Sequence, residues 1–279
     1  MAPTVFLAVL LAAALHAAWN AVVKGTDDKL AGMAGMAIGH AVPGLVAILV
    51  FPAPTSDAWP WIGASVALHF GYQWFLLHAY RLGDLSQVYP LARGSAPVIV
   101  AVVSVLALGA TLTGLELAAI GLVAAGVVSI GLAGVARASP AAVAAALATG
   151  AFIAAYTLVD GLGARASQSP VAYFGWVAVL GALPFALYVR LKRPGLLRRL
   201  PRAAPAAFLF GGWASFAAYA IVVWAFTQAP LGLVAALRET SIVFALLIGA
   251  TVLRERVDLA RAAAAFVTLC GVALMRLAR

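Results

Sequence analysis

The chain has 279 residues, of which 65% are hydrophobic and 10% charged, with a mean hydropathy of +1.06; this leaves too little polar material to cover a water-soluble globule. A net charge of +9 would suit a nucleic-acid partner. The Lys and Arg residues lie between apolar runs, however, with no basic patch interleaved with aromatics, so they read as orientation signals of a membrane protein and no nucleic acid is expected. The single cysteine, Cys270, excludes a disulfide framework and a cysteine metal cluster.

Polar, charged and Gly/Pro punctuation divides the chain into ten apolar runs, 3–23, 31–51, 58–80, 84–108, 114–135, 140–159, 170–190, 204–228, 230–252 and 257–275. Each is close to the ~17–25 residues a helix needs to cross a bilayer. The first lacks the basic start of a secretory signal and continues for a whole span. The alternation of a β-barrel is absent, so the prediction is an all-α integral membrane protein with ten transmembrane helices. Ser139-Pro140 and Ser169-Pro170 each place a serine N-cap before a proline at the first helical position, and Thr113-Gly-Leu-Glu116 has the form of a capping box.

A repeat lies within the ten runs. At an offset of 146, Ala79, Leu85, Val88, Leu91 and Ser95 fall on Ala225, Leu231, Val234, Leu237 and Ser241. At an offset of 145, Ala119, Gly126, Val127, Leu132 and Ala133 fall on Ala264, Gly271, Val272, Leu277 and Ala278. The expected organisation is two five-helix repeats, 1–136 and 137–279. An odd number of crossings inserts the second copy upside down, and inverted repeats are a transporter signature. Thirteen of the eighteen Lys and Arg residues fall in loops on one side and three, Arg165, Arg276 and Arg279, on the other. By the positive-inside rule both termini are expected outside the cytoplasm.

The remaining two, Arg93 and Arg238, lie within spans, as does Glu239. A charge at that depth is costly unless it faces a cavity or a partner. Under the 146 offset Arg93 falls on Glu239, so two inverted copies would bring an arginine and a carboxylate together at the midplane; an ion pair that merely locks the halves is the competing reading. Pro90 and Pro97 each leave a carbonyl without its intrahelical partner, and Gly94 adds room for close approach, predicting a kinked fourth helix lining a cavity. His16, Trp19 and Asn20 share one face of the first helix, and His69, Tyr72 and Gln73 repeat the i, i+3, i+4 pattern in the third. With Ser95, Ser241 and Tyr156 these complete the candidate substrate-binding set, while Trp213 and Tyr219 are further candidate aromatic walls. His40 and His78 read as packing residues. Glu239, taken as the one carboxylate deep in a span, is the candidate proton carrier, with uniport the alternative. No HExxH, paired acid and base or glycine-rich phosphate loop is found, so neither an enzyme, a metal nor a cofactor is expected.

Three stretches carry a resemblance: Ala17-Ala-Trp-Asn-Ala-Val-Val-Lys24, Ala79-Tyr-Arg-Leu-Gly-Asp-Leu-Ser-Gln-Val-Tyr-Pro-Leu91 and Leu253-Arg-Glu-Arg-Val257. With them the whole chain resembles the drug/metabolite transporter superfamily in its ten-helix EamA-type branch. Glu255 matches a glutamate the family commonly has between the last two helices of a repeat, whereas the aligned position in the first copy is Ala110. The resemblance implies secondary transport or export of small metabolites across the bacterial inner (plasma) membrane. It is often drawn with both termini cytoplasmic, the reverse of the charge count. Two buried arginines against one carboxylate point to an anionic or zwitterionic solute. The expected protein is thus a monomeric exporter of a small polar metabolite, driven by alternating access around a midplane cavity. The alternative is a membrane-embedded enzyme or flippase acting on a lipid-linked substrate.

Overall fold

The computed structural model describes residues 1–82, 85–135, 139–252, 254 and 259–278, and for 76–82, 85–89 and 131–135 the backbone alone. The first half contains α1 (Pro3–Lys24), α2 (Lys29–Gly39), α3 (Ala41–Val50), α4 (Trp59–Leu82), α5 (Leu85–Leu106) and α6 (Gly114–Val135). The second contains α7 (Pro140–Ser167), α8 (Pro170–Lys192), the short α9 (Leu196–Ala203), a π-helical turn at Ala207–Gly211 leading into α10 (Gly212–Gln228), then α11 (Leu231–Arg238), α12 (Ser241–Thr251) and α13 (Leu259–Leu277).

Among the described residues, seven stretches are long and apolar enough to cross a membrane, and Pro90–Leu106 and Gly114–Ile130 are shorter apolar helices. Large apolar side chains such as Leu49, Leu106, Leu187 and Leu259 point outward, as suits a surface solvated by lipid tails. The molecule is a helical, multi-pass integral membrane protein.

Local chemistry sets the helix starts. The Thr113–Glu116 capping box forms: Glu116 Oε2 accepts from Thr113 N at 2.9 Å and Thr113 Oγ1 from Glu116 N at 3.2 Å. Ser139 Oγ caps α7 by accepting from Ala142 N at 3.1 Å. Ser169 departs from expectation, because its side chain makes no cap bond and its own N–H is taken by Ser167 Oγ at 3.1 Å. Asp28 caps α2 through Leu30 N and Ala31 N and also pairs with Arg193 at the C-cap of α8. The Ala31 amide, then the Arg193 guanidinium, hold its carboxyl below the usual aspartate range.

Inside lipid the hydrophobic effect does not drive helices together, so association rests on close contact between small residues. α6 packs on α13 and α3 on α8. A Cβ on Gly126 would lie 2.8 Å from Thr268 N and 2.9 Å from Ala264 O, and one on Gly271 would lie 2.9 Å from Val123 N and 3.0 Å from Ala119 O. The two contacts are reciprocal: each glycine sits over the backbone one turn N-terminal to the other. Gly44 and Gly175 do the same, each placing its would-be Cβ about 3 Å from the other's carbonyl, at 3.1 and 2.9 Å. Between these seams α4 packs on α7, α1 on α10, and α5 on both α6 and α7.

These contacts are sensitive to a single methyl. Gly126→Ala and Gly271→Ala are each expected to lower stability in detergent by ~1–3 kcal/mol through overpacking, read as a fall in Tm. Gly121→Ala on the same helix, with nothing within 4 Å of its Cβ, is expected to be neutral or slightly stabilising through helix propensity. An equal fall for Gly121→Ala would contradict the assignment of the seam.

Candidate functional site

The spacing of 146 residues closes in three dimensions. Arg93 on α5 donates from Nε to Glu239 Oε2 at 3.0 Å, and the two side chains are 5% and 2% exposed. Arg238 ends α11 in a position favoured by the negative end of the helix dipole. Its Nε lies 4.0 Å from Glu239 Oε1, and neither of these buried atoms has a hydrogen-bond partner among the described residues. The Arg238 guanidinium also lies over the Tyr219 ring, 5.6 Å from its centroid. His16 Nε2 sits 3.4 Å from Arg93 Nη1; arginine can only donate, so this histidine nitrogen accepts. His16 packs edge-on against Trp19 at 5.1 Å, and Asn20 donates from Nδ2 to the His16 carbonyl at 2.7 Å.

A break in helical structure falls in the ninth apolar run, between α11 and α12. α5 is helical through both Pro90 and Pro97, whereas α11 and α12 part at Glu239–Thr240. There the N–H groups turn from the i−4 to the i−3 carbonyl: Glu239 N to Ala236 O at 3.0 Å, Thr240 N to Leu237 O at 3.1 Å and Ile242 N to Glu239 O at 3.1 Å. This tightening satisfies the backbone without proline. Gly94 serves helix packing: its Cβ would meet Val128 N at 3.1 Å and Ala124 O at 3.2 Å on α6. Ser95 donates to the Ala92 carbonyl at 3.0 Å and faces Gly150 of α7, while Ser241 is buried at the start of α12.

A second polar cluster adjoins the first. His69 stacks on Tyr156 with centroids 4.1 Å apart, and Tyr72 and Tyr219 pack edge-on to Tyr156 at 5.7 and 6.1 Å. Gln73 is half-buried one turn beyond His69 on α4. Trp213, a candidate wall, is instead 49% exposed. His40 is a packing residue, set between Phe174 and Phe216 at 5.3 and 5.6 Å. Glu255 and the side chain of His78 lie outside the described residues.

One expectation is corrected outright: Glu239 is not the only carboxylate deep in a span. The sixth run extends to Ser167 rather than ending at 159, and Asp160 lies within it, fully buried. Its Oδ2 accepts from Tyr219 Oη at 2.7 Å and its Oδ1 from Tyr173 Oη at 3.2 Å, with His69 Nε2 at 3.9 Å from Oδ2. Asp160-Gly-Leu-Gly163 reads as a loop, but its glycines admit neighbours: Leu231 closes on Gly161, and Trp61 and Tyr173 on Gly163. The signal available in the sequence was the i, i+4 spacing of Tyr156 and Asp160, which puts both on one helix face.

Residues 140–277 match the EamA-like transporter family. Through this half the chain belongs to the EamA-like transporter family. That family is part of the drug/metabolite transporter superfamily, and its members are membrane transporters rather than enzymes. A solved crystal structure, described only as that of a protein, aligns over 98% of this chain and 95% of its own with a TM-score of 0.73 at 22% identity. At that identity the likeness shows the fold alone. No curated protein matches the chain. The polar core of this EamA-like chain therefore sits in a membrane transporter of the drug/metabolite type.

Removing one member of a buried ion pair strands the other in low dielectric. Glu239→Ala, which leaves two guanidinium groups without their carboxylate, is expected to cost ~3–5 kcal/mol. Arg93→Ala should cost less, because Arg238 remains within 4.0 Å of Glu239. Thermal denaturation in detergent reads this order, and a larger loss for Arg93→Ala would show that Arg238 does not share the carboxylate.

Proposed function

We propose that this protein is a secondary transporter that exports a small polar, anionic or zwitterionic metabolite by alternating access between two inverted five-helix repeats, 1–136 and 137–279. The observation that carries the proposal is the pairing of Arg93 with Glu239 across the interface of the two repeats, with Arg238 beside them. Ionisable groups in a membrane interior belong to substrate or ion pathways more often than to packing, and inverted-repeat transporters bind near the axis relating their halves.

The reciprocal glycine contacts support the inverted arrangement. Gly126 and Gly271 are 145 positions apart, as are the backbone groups they meet, Ala119 with Ala264 and Val123 with Thr268. A symmetry operation that exchanges the halves accounts for both contacts at once. Ten crossings follow when α2 with α3, the π turn with α10, and α11 with α12 are each taken as one span. α9, basic on one side, lies between spans in the six-charge loop 190–202, which the charge count assigns to the cytoplasm with both termini outside.

In this reading Arg238 Nε and Glu239 Oε1 are the groups a substrate satisfies. A carboxylate or phosphate would accept from the arginine, and an ammonium or hydroxyl would donate to the glutamate. An anion competing for the arginines loosens the Arg93–Glu239 bond that joins α5 to α11, which gives the substrate a differential effect on the two access states. His16, Trp19, Asn20, Tyr72, Gln73 and Tyr156 form the surrounding wall.

Two measurements test the proposal. Metabolites released by cells expressing the protein are compared with those released by cells expressing Arg238→Gln; an anion or zwitterion is expected to accumulate outside only with the unaltered protein. An exclusively cationic product would overturn the charge argument. In a Cys270→Ser background, cysteines at positions 20 and 73 should react with impermeant thiol reagents from both sides of the membrane in turn, whereas labelling from one side under all conditions would overturn alternating access.

A further inference from the structure

The two buried carboxylates differ in their partners. Glu239 is held by a guanidinium at 3.0 Å in a charge-assisted hydrogen bond. Asp160 is equally buried, yet its one ion-pair contact among the described residues is His69, at 3.9 Å; its close contacts are two phenol hydroxyls, which stabilise the carboxylate without supplying a positive charge. His69 is the accessible member of the cluster, with a side chain 23% exposed. Its Nδ1 lies 3.0 Å from the Ser65 carbonyl; a carbonyl only accepts, so this contact places the ring hydrogen on Nδ1 and turns Nε2 towards Asp160.

We propose that Asp160 is the proton-binding site of this protein and that His69 delivers the proton to it. A proton from the aqueous side binds His69 Nε2 and gives an imidazolium. When Nε2 and Oδ2 close by about 1 Å, or through one water, the Nε2–H bond breaks and an O–H bond forms on Asp160 Oδ2. His69 returns to its neutral form with hydrogen on Nδ1. The charge has moved from the ring to the carboxyl group, which is left neutral.

The remaining groups around the site leave this route open. On α7 itself, Tyr156 stacks on His69, and Arg165 is occupied by the carbonyls of Phe226 and Ala229. α4 presents Ser65, His69 and Tyr72, α8 presents Tyr173, and α10 presents Tyr219. Arg93 on α5 is committed to Glu239, Arg238 on α11 lies behind the Tyr219 ring, His40 is enclosed by Phe174 and Phe216, and Asp57 is exposed beyond the start of α4.

Tyr219 makes the site more than a local one. Its hydroxyl donates to Asp160 while its ring faces Arg238. Protonation of Oδ2 competes with that hydrogen bond, so a tyrosine released from Asp160 changes the surface that Arg238 rests on. Proton uptake at Asp160 is thereby linked to anion binding at Arg238. This linkage rests on the transport reading above, but the proton site does not.

The test uses the proton itself as the probe. Purified full-length protein in phosphatidylcholine vesicles is taken from pH 8 to pH 5 while the C=O stretch of protonated carboxyl groups is followed by difference infrared spectroscopy. A band should appear, be lost in Asp160→Asn and persist in Glu239→Gln. Tyr219→Phe, which removes one donor to the carboxylate and keeps the ring, should raise the midpoint of the band by about one pH unit. Loss of the band in Glu239→Gln with its survival in Asp160→Asn would overturn the proposal. So would a Tyr219→Phe midpoint equal to that of the unaltered protein, a result readable even if Asp160→Asn does not fold. Failure to find an exported metabolite would sink the transport reading and leave the band unaffected.

Discussion

A guanidinium and a carboxylate bonded at 3.0 Å in the middle of an apolar bundle constrain everything around them. Isolated, either group would cost several kcal/mol at that depth, so Arg93 and Glu239 must meet, and α5 must lie against α11 wherever else the helices go. The requirement is met by a break at Glu239–Thr240, which lets the backbone satisfy itself through i−3 bonds while the Glu239 side chain reaches across. Arg238 then adds a positive charge that the pair does not neutralise.

The packing that surrounds this core works by contact distance rather than by exclusion of water. α6 and α13, like α3 and α8, approach until the backbone of one lies where the Cβ of the other would be. Seams of this kind hold by van der Waals contact between closely approaching backbones. The polar groups are shared between neighbours in series, from His16 to Arg93 to Glu239, and from Arg238 over Tyr219 to Asp160 and His69.

Much of this was legible in the sequence for identifiable reasons. The hydropathy pattern carries the spans because lipid enforces length and apolarity together, and the 146-residue offset singled out Arg93 and Glu239, which the fold brings to 3.0 Å. The Thr113–Glu116 box was readable because capping is local chemistry. Three features were not. Asp160 was hidden by two glycines that look like a loop and are in fact contact points for Leu231, Trp61 and Tyr173. The break at Glu239–Thr240 has no proline or glycine to announce it. Ser169 makes no side-chain cap bond, because its backbone, at φ −141° and ψ 74°, lies outside the extended conformation an N-cap adopts. At Asp160 a tertiary contact overrode a local signal.

The central claim is that the Arg93–Glu239 contact is a latch between two access states. Spin-label distance distributions test it most directly, with labels at the exposed positions 27 and 198 near one end of the bundle and 56 and 168 near the other. Two distance populations are expected at each end, longer at one when shorter at the other, and Glu239→Gln should change their ratio without creating a third. A single distribution at both ends, unchanged by Glu239→Gln, would contradict the account.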